Sequence, residues 1–193
     1  MRILRTLCVF CGAATPHDPR FARAMMALGD ELLRRRIGLV YGGGRVGLMG
    51  IVAEQVLRGG GHVTGVIPHQ LQRREVANLD VSELVVVDSM HERKAIMYER
   101  SDAFVVMPGG FGTLDEAMEI LTWKQLGVHD KPIVFVSIDG YYAPLEAFFE
   151  RAVGDGLLKE MYAKLYHFVP TLDALWTYLD RYEPHKEGIT PWV

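Results

Sequence analysis

Cysteine is scarce, with two residues in 193, Cys8 and Cys11. Two thiols cannot staple a chain of this length, so a disulfide scaffold is excluded and a reducing, cytoplasmic setting is expected. Their Cys-x-x-Cys spacing suits a redox pair or half a zinc site, but no second cysteine pair supplies the missing ligands. Cys8 also falls inside an apolar run, so buried, inert thiols and no bound metal are expected. Excess positive charge is lacking too. Lys and Arg number 21 against 24 Asp and Glu, and the only basic run is Arg34-Arg35-Arg36. That run ends a predicted helix, where cations complement the negative terminus. The balance carries no nucleic-acid footprint. Long hydrophobic runs are missing as well, and the opening MRILRTLCVFCG has too short an apolar stretch for a signal peptide. A membrane partner is therefore not expected.

What is present is an alternation of short apolar runs with helix-period segments. Strands are predicted near 4–10, 37–41, 62–67, 84–88, 102–107 and 132–137, with a further one at 167–169. LVVVD, AFVVM and PIVFVSI are continuous rather than alternating, as strands of a parallel sheet covered on both faces should be. The expected fold is a single domain over 1–193, a doubly wound α/β sandwich with a mostly parallel sheet. Residues 183–193 read as a surface tail. In such a fold every strand-to-helix loop opens at one edge of the sheet. Five loops should therefore crowd one rim: CGAATPHDP, YGGGRVGLMG, IPHQLQRREVANLD, DSMHERK and PGGFGTLDE.

Two of those loops are rich in glycine. GGGRVG, residues 42–47, has the G-x-G-x-x-G spacing of a dinucleotide fingerprint, but the next strand ends GVIPHQ without the acid that would hold ribose, and no P-loop lysine follows. PGGFGT is more informative. Gly109, Gly110 and Gly112 would let backbone N–H groups approach an anion at a helix N-terminus, where a monophosphate fits; a plain tight turn is the alternative.

Charges placed against expectation follow. Thr113-Leu114-Asp115-Glu116 matches a capping box, which would make Glu116 a cap. The helical wheel opposes this, because Glu116 aligns with Ile120 and Trp123 while Leu114, Met118 and Leu121 form a second apolar stripe. One stripe should meet the core, the other a partner subunit or the floor of a site. Ser89-Met90-His91-Glu92 is another capping box, so Glu92 is expected to be a cap and His91 a surface residue. Met90, Arg93, Lys94 and Met97 then share a face. Cations so near a helix N-terminus oppose the dipole, which calls for a fixed negative group nearby. Together these features suggest a phosphate at the glycine loop, Arg93 and Lys94 balancing surplus negative charge, and Glu116 as a buried carboxylate beside a sugar phosphate.

PGGFGTLDE fits P-G-G-x-G-T-x-x-E, and with SMHERK and GGGRVGLMG the chain resembles the LOG family of cytokinin riboside 5'-monophosphate phosphoribohydrolases. The similarity runs from LCVFCGA to LTWKQLGVHDKPI. It implies a modified Rossmann fold, a homodimer, no cofactor, and hydrolysis of adenosine-type 5'-monophosphates to free base and ribose 5-phosphate. By resemblance the catalytic pair is Arg93 and Glu116. Substrate contacts would come from Glu75, Arg93, Lys94, Gly109, Gly110, Phe111, Gly112, Thr113, Leu114, Asp115 and Thr122, with Gly43, Gly44 and Gly12 from the neighbouring loops. Many relatives read CGSS where this chain has Cys11-Gly12-Ala13-Ala14, which leaves backbone donors of Gly12 in place of hydroxyls. Met90, Met97 or Trp123 could receive an N6-prenyl tail. The alternatives are a nucleotide carrier without turnover and a lysine decarboxylase; the latter needs an aldimine lysine that no sequence context indicates.

Overall fold

The computed structural model describes residues 4–72 and 77–184. Seven strands, β1 (Thr6–Phe10), β2 (Gly38–Tyr41), β3 (Val63–Pro68), β4 (Glu83–Val87), β5 (Ala103–Val106), β6 (Ile133–Val136) and β7 (His167–Val169), form one sheet. Its order is β4-β3-β2-β1-β5-β6-β7, and every neighbouring pair is parallel. The chain winds outward from β1 to β4, then crosses back and winds the other way from β5. The switch point of this doubly wound sheet therefore lies between β1 and β5.

Among the described residues six α-helices connect the strands, α1 (Pro19–Arg35), α2 (Gly47–Arg58), α3 (His69–Gln72), α4 (Met90–Glu99), α5 (Phe111–Gln125) and α6 (Ala143–Gly154), and α7 (Leu172–Arg181) follows β7. Period-two alternation in β1 divides the core. Leu7, Val9 and Cys11 pack with residues of α1, α2 and α7, whereas Cys8 and Phe10 pack with α4 and α5. The two cysteines thus project to opposite faces, free and buried. Burial, then the negative charge of Glu116, pushes both thiols up, which keeps them protonated and unsuited to redox attack. Among the described residues no cluster of His, Cys, Asp and Glu could hold a metal, and no helix is long and apolar enough to cross a membrane.

Two expectations need adjustment. LVVVD reads as a strand covered on both faces, yet β4 is an edge strand whose first four residues are only half-buried. An edge position, which periodicity does not reveal, accounts for the difference. The arginine run also does more than face a dipole. Arg34 and Arg35 pair with Glu31, Arg35 reaches Asp180 at 2.7 Å and lies over the Trp176 ring, and Arg36 closes α1 in a left-handed conformation.

The far end of α5 is locked by buried polar groups. Lys124 Nζ donates to Lys131 O at 2.9 Å and to the Tyr182 hydroxyl at 3.0 Å, which in turn donates to Asp130 O at 2.6 Å. His129 Nε2 lies 2.9 Å from Ile120 O, and Nδ1 accepts from Lys131 N at 3.1 Å, an arrangement that needs the neutral Nε2–H tautomer. Burial is the main cause that lowers His129 from 6.5 to about 4. Between those values the unfolded chain binds a proton that the folded chain refuses. Its contribution to stability is thus complete above about pH 6.5 and is lost as pH falls towards about 4. His129→Gln should flatten that acid limb in urea titrations across the window; an unchanged slope would mean that His129 does not titrate as its surroundings dictate.

Candidate active site

The rim at the carboxyl ends of the strands is an interlocked set of loops. At the switch point Gly12 N donates to Pro108 O at 3.1 Å, and a Cβ on Gly12 would stand 3.4 Å from Gly109 Cα. Leu48 N donates to Gly12 O at 3.0 Å, which joins the β2–α2 loop to the β1–α1 loop. Gly43 O accepts from Asn78 N at 2.9 Å, and Gly44 forms an isolated bridge with Ala77. The sequence places these loops together, and the structure brings them into direct contact.

Arg93 ties this rim to α5. Its Nε donates to Val66 O at 3.0 Å and its Nη2 to Gly42 O at 3.2 Å. The remaining nitrogen, Nη1, stands 3.3 Å from Glu116 Oε1, and both side chains are less than a tenth exposed. A planar fork with donors on three sides can meet two carbonyls and a carboxylate at once, which an ammonium on a lysine stem cannot. Gly42 makes room for it, since a Cβ there would fall 2.0 Å from Nη2.

Lys94, the next residue on α4, pairs with Glu119 at 2.8 Å and Asp115 at 3.2 Å. Burial alone would lower its pKa, but hydrogen bonds and charge from those two carboxylates outweigh it and raise the pKa, so the group stays an ammonium. The fixed negative groups that oppose two cations near the start of α4 are thus carboxylates of α5. Both charges are answered before any phosphate arrives, which revises the expectation that they are there to balance one.

The start of α5 also differs from the capping-box reading. Gly110 is the N-cap, with no side-chain cap, and the helix begins at Phe111. Thr113 therefore lies within the first turn, buried against Gly109, where a Cβ would fall 2.0 Å from its Oγ1. Glu116 turns inward to Arg93 instead of back to a cap. The first helical hydrogen bond runs from Leu114 N to Gly110 O at 3.0 Å, so the amides ahead of it are the orphan donors of a helix terminus. A Cβ on Gly110 or Gly112 would meet nothing within 4 Å, which leaves the approach to those donors open. The other box holds: Ser89 Oγ accepts from Glu92 N at 3.1 Å, while Glu92 Oε2 accepts from Asp88 N at 2.9 Å, one residue further back than the motif specifies. His91 is exposed.

The expected contact residues divide clearly. Arg93, Lys94, Asp115 and Glu116 come together, with Gly109, Gly110, Gly112 and Thr113 forming the adjoining loop and first turn. Gly12 is adjacent, but its N–H is committed to Pro108, which corrects the expectation that it supplies a free donor. Gly43 and Gly44 pack against β3 and residues 77–78, and Gly43 needs its φ of 79°. Leu114 is half-buried, Phe111 is 95% exposed, and Thr122 is exposed with its hydroxyl donating to Met118 O. Thr122 stands about 9 Å of helix rise beyond Glu116 and on another face, so within one chain the two are not brought together. Glu75 lies outside the described residues.

Of the candidates for a prenyl contact, Met97 is fully buried core and Trp123 packs edge-on against Tyr98, whereas Met90 is part-exposed with Sδ 3.8 Å from Arg93 Nη1. Sequence reasoning missed Gly42, hidden at the start of a motif read for its later glycines. It also passed over the loop after β6, SIDGYYAP, whose Asp-Gly pair signals a turn. There Tyr141 and Tyr142 donate to Gly109 O and Met107 O.

The chain is similar to several known proteins. A family described as possible lysine decarboxylase matches residues 49–179. The cytokinin riboside 5'-monophosphate phosphoribohydrolase LOG7 of Arabidopsis thaliana is 45% identical over 186 residues, covering 96% of this chain and 86% of that protein. The probable cytokinin riboside 5'-monophosphate phosphoribohydrolase LOGL9 of Oryza sativa subsp. japonica is 48% identical over 180 residues, or 93% and 79%. Among solved structures, the molybdenum cofactor carrier protein of Chlamydomonas reinhardtii superposes with a TM-score of 0.69 at 21% identity, covering 92% of this chain and 97% of that one. At that identity the likeness shows the fold alone.

Proposed function

The chain belongs to the LOG family of cytokinin riboside 5'-monophosphate phosphoribohydrolases, and from that premise we propose that it hydrolyses the N-glycosidic bond of adenosine-type 5'-monophosphates. The products are the free base and ribose 5-phosphate. The observation that carries this reading is the buried pair of Arg93 and Glu116, 3.3 Å apart beside a helix terminus rich in unpaired amides.

The 5'-phosphate sits at the N-terminus of α5, where donors and dipole favour an anion. Cleavage of the bond between the anomeric carbon and the base nitrogen builds positive charge on the ribose. Glu116 stabilises that charge and orients the attacking water, whose oxygen bonds to the anomeric carbon; a proton passes to the departing base. Arg93 holds the carboxylate in place and supplies a positive charge 3.3 Å from it. Lys94 holds Asp115 and Glu119 in place on α5, and by resemblance Glu75 contributes a substrate contact.

Lysine decarboxylation suits these residues less well. An aldimine needs a neutral amine, and Lys94 is held as a cation between two carboxylates. Lys124 is lowered to about 8, chiefly by burial, but it stands about 12 Å of helix rise from Glu116, towards the opposite edge of the sheet.

We further propose a homodimer in which a second copy covers what Leu114, Met118 and Leu121 leave exposed, since all three pack against the core yet are only half-buried in the single chain. Light scattering at micromolar concentration tests it, and a strict monomer refutes it. Two free thiols favour a cytoplasmic setting. The decisive assay incubates the protein with adenosine, AMP and N6-isopentenyl-AMP and measures free base by chromatography. Base should come from monophosphates and not from the nucleoside. Binding without release would leave a nucleotide carrier instead.

A further inference from the structure

We propose that Tyr141 is a positioning residue that aims the anion-binding amides of α5 through the Gly109 carbonyl, an inference that rests on the phosphoribohydrolase reading above. Its hydroxyl donates to Gly109 O at 2.7 Å. The peptide bonds of the described residues are trans, so C=O and N–H project to opposite sides of each peptide plane. Holding Gly109 O towards Tyr141 therefore sends the N–H of Gly110 the opposite way, at a residue with open space around it.

The loop requires such a restraint because it cannot supply one. Gly109, Gly110 and Gly112 have no side chains with which to fix their own peptides, and glycine is the residue with most conformational freedom to lose. What holds the loop comes from outside: Gly12 N on Pro108 O, the Thr113 side chain against Gly109, and Tyr141 on Gly109 O. Tyr142, the next residue, holds Met107 O at 2.8 Å, so consecutive tyrosines grip this segment two residues apart.

The turn bearing Tyr141 is itself braced. Asp139 adopts φ 52° and ψ 34°, which side chains rarely occupy, and Gly140 follows at φ 75°. Arg20 of α1 pairs with Asp139 at 2.6 Å, and Tyr142 N donates to Ser137 Oγ at 2.9 Å. The Tyr141 ring then packs edge-on against Phe21 at 5.5 Å and Tyr142 at 4.9 Å. Two successive left-handed residues, an ion pair and two ring contacts deliver one part-exposed hydroxyl to one carbonyl.

Tyr141→Phe keeps the ring contacts and removes the hydrogen bond. In the full-length protein, KM for AMP and Ki for ribose 5-phosphate should rise together by about fivefold, the effect of one ordinary hydrogen bond. The value of kcat should stay within about twofold, because the grip on phosphate is remote from the bond that breaks. A merely structural residue would lower the melting temperature without moving the two constants together. Unchanged KM and Ki, or a fall in kcat alone, would overturn the proposal. Calorimetric titration with AMP separates the two readings. If the wild-type protein binds AMP but releases no adenine, the hydrolase reading fails, and Tyr141 is still judged by whether the variant's Kd for AMP rises about fivefold or stays the same.

Discussion

Glu116→Gln is expected to lower kcat for base release from AMP by about a hundredfold or more, with the Kd for AMP nearly unchanged. Glutamine matches the carboxylate in shape and keeps an oxygen for Arg93 Nη1, which lies 3.3 Å from Oε1 in the native pair. What disappears is the negative charge. Transition-state electrostatics of this kind are worth about 3 kcal/mol per group, or roughly a hundredfold in rate. The ground state has little charge on the ribose, so binding should change far less than turnover. Rates by chromatography and Kd by calorimetry make the comparison. A variant that turns over at the native rate would remove Glu116 from the reaction and leave the pair a structural tie between α4 and α5.

The sheet was legible because its strands are short apolar runs and the segments between them have helical period. All seven strands lie where those runs fall, and the collection of loops at one rim follows from parallel pairing alone. The charges of the candidate site were legible as anomalies. A glutamate in line with Ile120, and two cations near the start of α4, contradict local preference, and each contradiction is resolved by a partner on the other helix. What pattern could not supply is partnership between helices distant in sequence on one face of the sheet. Thr113-x-x-Glu116 satisfies a capping rule that depends only on neighbours in sequence, whereas the pairing with Arg93 joins α4 to α5, with β5 between them in the chain. Gly42 was invisible for a similar reason, since its lack of a side chain matters only because a guanidinium from another helix lies against it. Tyr141 makes its contact through a main-chain carbonyl, and no residue type at position 109 could have signalled that.

Arg93→Met should be the most destabilising single substitution in the site, by about 3–5 kcal/mol, because it leaves a carboxylate buried without its guanidinium. Three other groups bear on the cost. Val66 O and Gly42 O lose their donors, and Lys94 is already committed to Asp115 and Glu119 and cannot move over to replace the lost charge. Arg93→Met with Glu116→Gln should then recover part of the loss, since the second change removes the buried charge that has lost its guanidinium. Urea denaturation of the four proteins of this double-mutant cycle measures the coupling directly. A coupling of about 1–3 kcal/mol is expected for groups in direct contact. Additive losses would mean that Arg93 stabilises the fold through the two carbonyls alone. In that event its role is to tie Gly42, just after β2, to Val66 of β3. A large coupling would instead make the guanidinium both the structural key of the rim and the counter-charge that prepares the carboxylate for the reaction.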